Sequence, residues 1–376
     1  MPTIGIPKES NNKETRVSAT PDSVRKLTSL KGVEVMIENG LGDRLKVPDQ
    51  EYEKAGAAIC PREKIHGSDF IFQISPMSSD RLVDYKKGSV YIGCLDPYNR
   101  RDLIQSCVAH SIDAVSMEMM PRSTRAQKMD VLSSQASIAG YAAVVVASEV
   151  SDKLFPMMMT PAGTISPARV FVIGAGVAGL QAIATAKRMG ARVDAFDTRP
   201  VVKEQVESLG AKFLDIDLGE TGQTKDGYAK ALSQEQLSRQ RDAMKTQCAQ
   251  SDIVITTAQL FGRTAPVILN DEILSAMKPG SVIVDLAAES GGNVSGSRAG
   301  EIVEKENIFI VGAANFPGRY TKDASQMYAS NLYAFFSEFY STENQAFEYD
   351  PEDEILSACY LVREGKVIHP SFAEVN

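Results

Sequence analysis

A glycine-rich turn between two apolar segments constrains this chain most. The run Arg169–Ile173 is short, apolar and rich in Val and Phe, which predicts a buried strand. The sequence GAGVAG, beginning at Gly174, follows at once, and Leu180–Met189 then has helical spacing of its apolar residues. A second predicted strand, Val193–Phe196, leads into Asp197. This order of strand, glycine turn, helix, strand and carboxylate is typical of a dinucleotide-binding unit.

Each part of the pattern has a physical role in such a site. Gly174 permits the tight turn, Gly176 lets backbone N–H groups approach a pyrophosphate, and Gly179 lets the helix pack closely on the strand. The helix N-terminus offers unpaired N–H donors and partial positive charge to the phosphates. Asp197 can accept hydrogen bonds from the adenosine ribose and would repel the additional phosphate of NADP, so the pattern predicts an NAD(H) site. The alternative is a glycine-rich structural turn.

The composition is typical of a soluble globular protein of two domains. Of 376 residues, 43% are hydrophobic and 23% charged, and the formal net charge is −8. No nucleic acid partner is expected of such an acidic chain. The five cysteines are scattered without a CxxC motif, which argues against a disulfide framework or a zinc site and fits a reducing cytoplasm. We expect no signal peptide and no membrane span, since the longest apolar run is Tyr141–Ala147.

Strand-like and helix-like segments alternate along the chain. They predict an α/β fold of two Rossmann-like domains, with parallel sheets flanked by helices and joined by long helices around a cleft. Residues 1–132 plus 315–376 would form the first domain, and residues 133–314 the NAD(H)-binding domain. The other predicted strands are Thr3–Pro7, Glu34–Ile37, Phe70–Ile74, Val90–Cys94, Ala114–Met117, Ala211–Leu214, Ile253–Thr257, Val282–Asp285 and Ile308–Val311. The other predicted helices are Pro21–Ser29, Arg101–Ser111, Ser133–Val150 and Met327–Tyr340, followed by a hairpin over Ala358–His369.

The polar loop that precedes the long helix is a candidate ligand segment at the domain junction. Arg122 can pair with Asp130 or hold a nicotinamide ribose or phosphate, and Gln127 can hydrogen-bond a carboxamide or a ribose. The structural alternative is a capped helix start, with Ser133 or Ser134 as the N-cap residue.

Two further segments have the same two interpretations. The polar segment Asp217–Gln240, which contains Tyr228, is either a loop that closes over a ligand or a solvated surface loop. After the strand Val282–Asp285, Glu289 is either an acid/base group or a solvated carboxylate. Thr257, at the end of another strand, is expected to line the same crevice.

With these residues in place, the chain resembles the NAD(H)-binding α subunits of proton-translocating NAD(P) transhydrogenases over nearly its whole length. The segments IGIPKESNNKETRVSATP and VIGAGVAGLQAIATAKRMGA are shared with the wider alanine dehydrogenase and transhydrogenase superfamily. More discriminating is MEMMPRSTRAQKMDVLSSQASIAGY, which looks like the Arg-Gln-Asp loop of transhydrogenases. VDLAAESGGN and GKVIHPSF also fit, and the chain resembles members whose α subunit is split before the transmembrane region.

The resemblance implies roles for the residues that match the family's motifs. Those implied at the nicotinamide and its ribose are Arg122, Gln127, Asp130 and Ser133. Those implied at the pyrophosphate are Gly174, Gly176, Val177 and Gly179, and at the adenosine end Asp197, Thr198 and Arg199. Gly227 and Tyr228 match the family's mobile loop, and the other implied nucleotide contacts are Gln240, Thr257, Ala258 and Gln259. Gln259 and Phe261 depart from the family's usual residues, an apolar residue and a proline.

The resemblance also implies an activity and partners. NADH bound here would give hydride directly to NADP bound on a partner β subunit, and a membrane-spanning subunit would couple this transfer to proton translocation. The chain would be a homodimer in the cytoplasm, attached peripherally to the inner face of the membrane through its partners.

The main alternative is an NAD-dependent amino acid dehydrogenase similar to alanine dehydrogenase. Such enzymes use a lysine and a histidine near the strand ends of the first domain, and the segments Phe72–Pro76 and Ile92–Asp96 contain neither. Reductive amination needs a positioned acid or base, whereas hydride exchange between two nicotinamides needs proximity, orientation and exclusion of water. The sequence therefore favours transhydrogenation, with a non-catalytic NAD sensor as a third interpretation.

Overall fold

The structure is a computed structural model that describes residues 1–217, 219, 233–259 and 261–375. It divides into two compact units, Met1–Gln135 with Gly318–Asn376 and Ala136–Pro317. Each unit is built on a mainly parallel sheet flanked by helices. The predicted α/β fold class is therefore confirmed.

The first unit begins with alternating strands and helices. Its strands to this point are β1 (Thr3–Ile6), β2 (Glu34–Glu38), β3 (Ala58–Cys60), β4 (Phe70–Phe72), β5 (Val90–Gly93) and β6 (Asp113–Ser116). Its helices are α1 (Pro21–Thr28), α2 (Asp49–Lys54), α3 (Arg62–Ile65) and α4 (Arg101–His110). Helix α1 begins as predicted, because Thr20 accepts a hydrogen bond from the backbone N of Ser23 and Pro21 fits the first helical position.

The long helix α5 (Val131–Val150) contains the boundary between the units, and the second unit follows. Its strands are β7 (Met158–Thr160), β8 (Gly163–Ile165), β9 (Arg169–Ile173), β10 (Arg192–Phe196), β11 (Lys212–Phe213), β12 (Ile253–Thr256), β13 (Val282–Asp285), β14 (Ile302–Lys305) and β15 (Ile308–Gly312). Its further helices are α6 (Val177–Arg188), α7 (Lys203–Ser208), α8 (Gln234–Gln250) and α9 (Asp271–Leu274).

The main sheet of the second unit has the strand order β11-β10-β9-β12-β13-β15-β14, and only β14 among these described strands runs antiparallel to its neighbour. Strand β9, the first of the sheet in the chain, lies between β10 and β12. The last residues of these strands are in register, since Ile173 pairs with both Phe196 and Thr256. The strand order reverses here, and in such sheets this edge is where ligands bind.

The C-terminal segment completes the first unit. It contains α10 (Thr321–Phe339), β16 (Tyr340–Ser341), β17 (Ala346–Phe347), α11 (Glu354–Cys359), β18 (Tyr360–Arg363) and β19 (Lys366–Val367). The resulting sheet has the order β19-β18-β6-β5-β4-β1-β2-β3. Helix α10 packs on it through buried aromatic side chains, with Phe336 edge-on to Phe70 at 5.1 Å between ring centroids.

Strands β18 and β19 form the predicted hairpin, and it turns at Glu364-Gly365, where both residues have positive φ, +51° and +72°. The first strand begins at Tyr360, two residues later than predicted, because Ala358 lies in α11.

The segment Asp217–Gln240 is not a loop throughout, and this corrects the sequence interpretation. Helix α8 begins at Gln234 inside it. Ser233 and Gln236 form a reciprocal capping box, with the Ser233 backbone N donating to Gln236 Oε1 at 2.8 Å. Tyr228 and Gly227 lie outside the described residues.

Helix α5 differs from the sequence expectation in two ways. It begins at Val131 rather than Ser133. It is also, alone among the described helices, long and apolar enough to cross a membrane by length and composition, whereas the expectation considered only the unbroken run Tyr141–Ala147. Core helices of soluble proteins meet the same criterion, and the side chains of Ala142, Val144 and Ala147 are fully buried within the protein.

Candidate nucleotide-binding site

The glycine turn joins β9 to α6 at the sheet edge where the strand order reverses. Gly174 has a φ of +97°, in the left-handed region that favours glycine. A Cβ at Gly179 would lie 1.8 Å from the carbonyl oxygen of Gly174, so a side chain there would force α6 off the turn. A Cβ at Gly176 would meet no atom within 4 Å. The fold itself requires two of the three glycines, and the third faces open space.

The first turn of α6 presents backbone N–H groups toward that space. Gly176 is the N-cap residue and makes no side-chain capping bond. The helix has twelve residues, so its dipole adds partial positive charge at this end. Val177, the first helical residue, is 44% exposed. These features fit the pyrophosphate of a dinucleotide.

Asp197 follows β10 and lies against the glycine turn. Its Oδ2 accepts a hydrogen bond from the backbone N of Ala175 at 2.8 Å. The side chain of Asp197 is only 7% exposed. The carboxylate is therefore held at the edge of the turn, where it can contact the adenosine end of a dinucleotide.

Arg199 forms an ion pair with this carboxylate, which the sequence did not predict. Arg199 Nε donates to Asp197 Oδ1 at 2.9 Å, and Nη2 donates to Oδ2 at 2.8 Å. The hydrogen bond to Asp197 raises the pKa of Arg199. Both charged groups are thus satisfied by each other in this structure.

Thr257 and Ala258 follow β12 and complete the edge. Thr257 Oγ1 donates to the carbonyl oxygen of Gly174 at 3.1 Å. The Ala258 backbone N donates to Asn293 Oδ1 at 3.0 Å, and Asn293 Nδ2 donates back to the Ala258 carbonyl at 2.8 Å. Buried Asp285 in turn accepts from the Asn293 backbone N at 2.9 Å. Asn293 and Asp285 were not among the predicted site residues, yet they fix the loop that carries Thr257 and Ala258.

The remaining predicted contacts of this unit differ in exposure. Gln240, on α8, is buried, Thr198 is half-buried and Gln259 is exposed. Glu289 is exposed as well, and its Oε2 accepts a hydrogen bond from the Asn315 backbone N at 3.2 Å. This environment is that of a solvated loop carboxylate, and it does not position Glu289 as an acid or base.

In the first unit, Asp130 and Ser133 are in direct contact. Asp130 Oδ1 accepts from the Ser133 backbone N at 2.9 Å, and Asp130 Oδ2 accepts from Ser133 Oγ at 2.6 Å. Asp130 is therefore the N-cap of α5, and the alternative that Ser133 or Ser134 caps this helix is wrong. Arg122 and Gln127 on the same loop are exposed.

Ion pairs of Arg125 and Lys128 anchor the loop that precedes α5. Arg125 pairs with Glu338 at 2.8 Å and with Asp353 at 2.5 Å, and Lys128 pairs with Glu338 at 2.6 Å. These pairs hold the backbone on which Arg122, Gln127 and Asp130 are carried.

The segments that follow β4 and β5, residues 73–76 and 94–96, contain neither the lysine nor the histidine that an amino acid dehydrogenase uses there. Arg16 pairs with Glu14 through two hydrogen bonds of 2.8 and 2.7 Å. Burial raises the pKa of the Cys94 thiol and of the Tyr328 hydroxyl well above neutrality, so both stay protonated. Burial also raises the pKa of Glu9 to about 7, and this carboxylate accepts hydrogen bonds from the backbone N of two loop residues at 2.7 and 3.0 Å.

Comparison with known proteins decides the family. A model described as the alanine dehydrogenase/PNT N-terminal domain matches residues 5–139, and one described as the C-terminal domain matches residues 143–370. The chain belongs to the alanine dehydrogenase/PNT family. Within this family it is 42% identical over 377 residues to a Rhodospirillum rubrum protein named as the first portion of the NAD(P) transhydrogenase α subunit, with 98% of each chain covered.

A solved structure is similar to this chain over almost its whole length. The transhydrogenase from Sinorhizobium meliloti is 44% identical, with a TM-score of 0.88 over 97% of this chain and 100% of that chain. The alanine dehydrogenase of Bacillus subtilis is 25% identical over 84% of this chain and 79% of that protein. The predicted family and its oxidoreductase class are confirmed, and the alanine dehydrogenases are the more distant branch.

Proposed function

We propose that this chain is the NAD(H)-binding subunit of a proton-translocating NAD(P) transhydrogenase. The second unit would bind the dinucleotide, with Gly174, Gly176 and Gly179 around the pyrophosphate and Asp197 at the adenosine ribose. Val177, Thr198, Gln240, Thr257, Ala258 and Gln259 would supply the remaining contacts, and Arg199 would lie beside the adenosine end. The proposal rests on the family and on the glycine turn, whose one solvent-facing glycine leaves room for a phosphate.

At the other end of the dinucleotide, Arg122, Gln127, Asp130 and Ser133 would hold the nicotinamide and its ribose. When bound, the reduced nicotinamide supplies the hydride. The residues of this chain would orient the ring and exclude water, because the transfer requires proximity and alignment but no proton movement. Gly227 and Tyr228, on the family's mobile loop, would help to exclude water.

The acceptor would be NADP on a partner β subunit. A membrane-spanning subunit would couple the transfer to proton translocation, and this chain would lie in the cytoplasm against the inner face of the membrane. The relative from Rhodospirillum rubrum is named as one portion of an α subunit, which supports the dependence on further subunits.

A second copy of this chain is the remaining proposed partner. The hairpin of β7 and β8 carries exposed apolar side chains, with Met157 60%, Met159 74% and Ile165 39% exposed. An isolated two-stranded hairpin with this surface is marginal in water, and a partner of the same kind would cover it. This supports a homodimer.

The space at Gly176 carries the proposal of the dinucleotide site, and it gives a direct test. In Gly176→Val the Cβ would meet no atom of the rest of the protein within 4 Å, so the fold should be unaffected while the side chain excludes a pyrophosphate. We expect this variant to melt like the wild type and to lose NADH binding, measured by the emission of NADH. Gly179→Ala is the contrasting control, because its Cβ would meet a carbonyl oxygen at 1.8 Å and should lower the melting temperature. Unchanged NADH affinity in Gly176→Val would refute the site.

A further inference from the structure

The carboxylate of Asp197 has its acceptor positions filled by the protein in this structure. A carboxylate offers about four lone-pair positions on its two oxygens. Oδ1 accepts from the backbone N of Arg199 at 2.8 Å and from Arg199 Nε at 2.9 Å. Oδ2 accepts from Arg199 Nη2 and from the backbone N of Ala175, both at 2.8 Å. A ligand can therefore bond this carboxylate only by displacing a donor of the protein.

The guanidinium group of Arg199 supplies one of these hydrogen bonds to each oxygen. Its Nε and Nη2 form a fork that matches the carboxylate. The two neighbouring hydroxyls of an adenosine ribose would also donate one hydrogen bond to each oxygen of such a carboxylate. The guanidinium and the ribose therefore compete for the same pair of acceptor positions.

The pair is not a weakly held surface contact. The side chain of Arg199 is 15% exposed and that of Asp197 is 7% exposed, so solvent screens their attraction less than at an open surface. Both residues are next to the glycine turn, through the bond from Ala175. The competition thus takes place at the proposed dinucleotide site itself.

We propose that Arg199 determines dinucleotide specificity by occupying the ribose-binding positions of Asp197, so that it must leave them when NADH binds. The inference rests on the proposed NAD(H) site. The displaced cation stays tethered two residues from Asp197 and offsets the repulsion that this carboxylate exerts on a 2′-phosphate. Arg199 thereby weakens NADH binding and narrows the preference for NADH over NADPH that Asp197 alone would give.

The test compares NADH and NADPH affinities of Arg199→Gln with those of the wild type. Nucleotide emission is a clean signal because the chain has no tryptophan. We expect NADH to bind on the order of tenfold more tightly, the scale of one net charge-assisted hydrogen bond, and NADPH to bind more weakly. Arg192→Gln is the matched control, since it removes an exposed positive charge at the far end of β10 and should leave the ratio of affinities unchanged.

A double-mutant cycle separates competition from direct contact. In an Asp197→Asn background the change Arg199→Gln should give no gain in NADH affinity, because there is no carboxylate to release. Weaker or unchanged NADH binding by Arg199→Gln, or a gain that persists in the Asp197→Asn background, overturns the inference. If Arg199→Gln does not fold, Arg199→Lys decides, since it keeps the charge without the fork and should still bind NADH more tightly than the wild type.

The two proposals fail in distinguishable ways. A wild-type chain that does not bind NADH refutes the dinucleotide site and this inference together. A wild-type chain that binds NADH, with no tighter binding in the Arg199 variants, refutes the competition alone.

Discussion

Glu118, which follows β6, gives the first unit a dependence on pH at the scale of a single residue. Its Oε2 accepts hydrogen bonds from the Asp96 backbone N at 2.8 Å and from Ser116 Oγ at 3.2 Å. Burial raises its pKa from 4.5 to about 7. The folded protein therefore holds a proton that the unfolded chain has released between these values, and the stability contributed by this group falls as pH rises through that window.

Glu118→Gln should remove this dependence while keeping both hydrogen bonds, because an amide oxygen can accept them. We expect the difference in free energy of unfolding, variant minus wild type, to rise on the order of 2 kcal/mol between pH 4.5 and 7.5. This is less than the full pKa shift of Glu118 would give, because the side chain is partly exposed. Urea denaturation across this range measures it, with the exposed Glu53→Gln as control. If the difference in free energy of unfolding between Glu118→Gln and the wild type does not change with pH, Glu118 is not the source of the pH dependence.

Residues whose role is local could be predicted from the sequence, and residues whose role depends on distant partners could not. The three glycines of the turn follow from a short spacing pattern. The ion pair of Arg199 with Asp197 depends on a side-chain direction that no spacing specifies. Asn293 bonds the backbone of Ala258, 35 positions away, and nothing near it in the sequence marks that contact.

At the scale of elements, the exposed hairpin of β7 and β8 makes the proposed homodimer testable. Met158 and Ile165 are cross-strand partners, and both are exposed. We expect the double variant Met158→Asp with Met159→Asp to shift the chain from dimer to monomer, since charge in a covered apolar interface is costly. Size-exclusion chromatography with light scattering measures the mass.

The matched control for the hairpin variant is Val83→Asp, which places the same charge at a residue that is 62% exposed in the first unit. It should leave the dimer intact. A wild-type monomer, or a dimer that survives both hairpin substitutions, would remove the hairpin as the interface.

The bounds of strands buried on both faces could be predicted more closely than the starts of helices, which depend on their capping residues. Strand β13 has the predicted bounds, because its apolar run ends abruptly at Asp285. Helix α5 begins two residues before the predicted start because Asp130, not a serine, caps it. Helix α8 was hidden in a polar segment, although its S-x-x-Q capping box was present in the sequence at Ser233.

At the scale of the whole molecule, the family and the geometry support the proposal that this chain binds one of the two nucleotides between which a hydride is transferred. The second unit would supply the proposed dinucleotide site with its carboxylate and glycine turn, and the first unit would supply Arg122, Gln127, Asp130 and Ser133. In the described residues no group of His, Cys, Asp or Glu side chains could hold a metal ion. These residues fit a reaction that needs only the alignment of two nicotinamides, provided that another subunit binds the second nicotinamide.

The most direct test of this account is NADH-dependent reduction of an NADP analogue, measured with and without a purified NADP-binding partner domain. The account predicts transfer only when the partner is present, and none with Gly176→Val in place of the wild type. Oxidation of NADH by this chain alone with pyruvate and ammonia would contradict it and would establish an amino acid dehydrogenase.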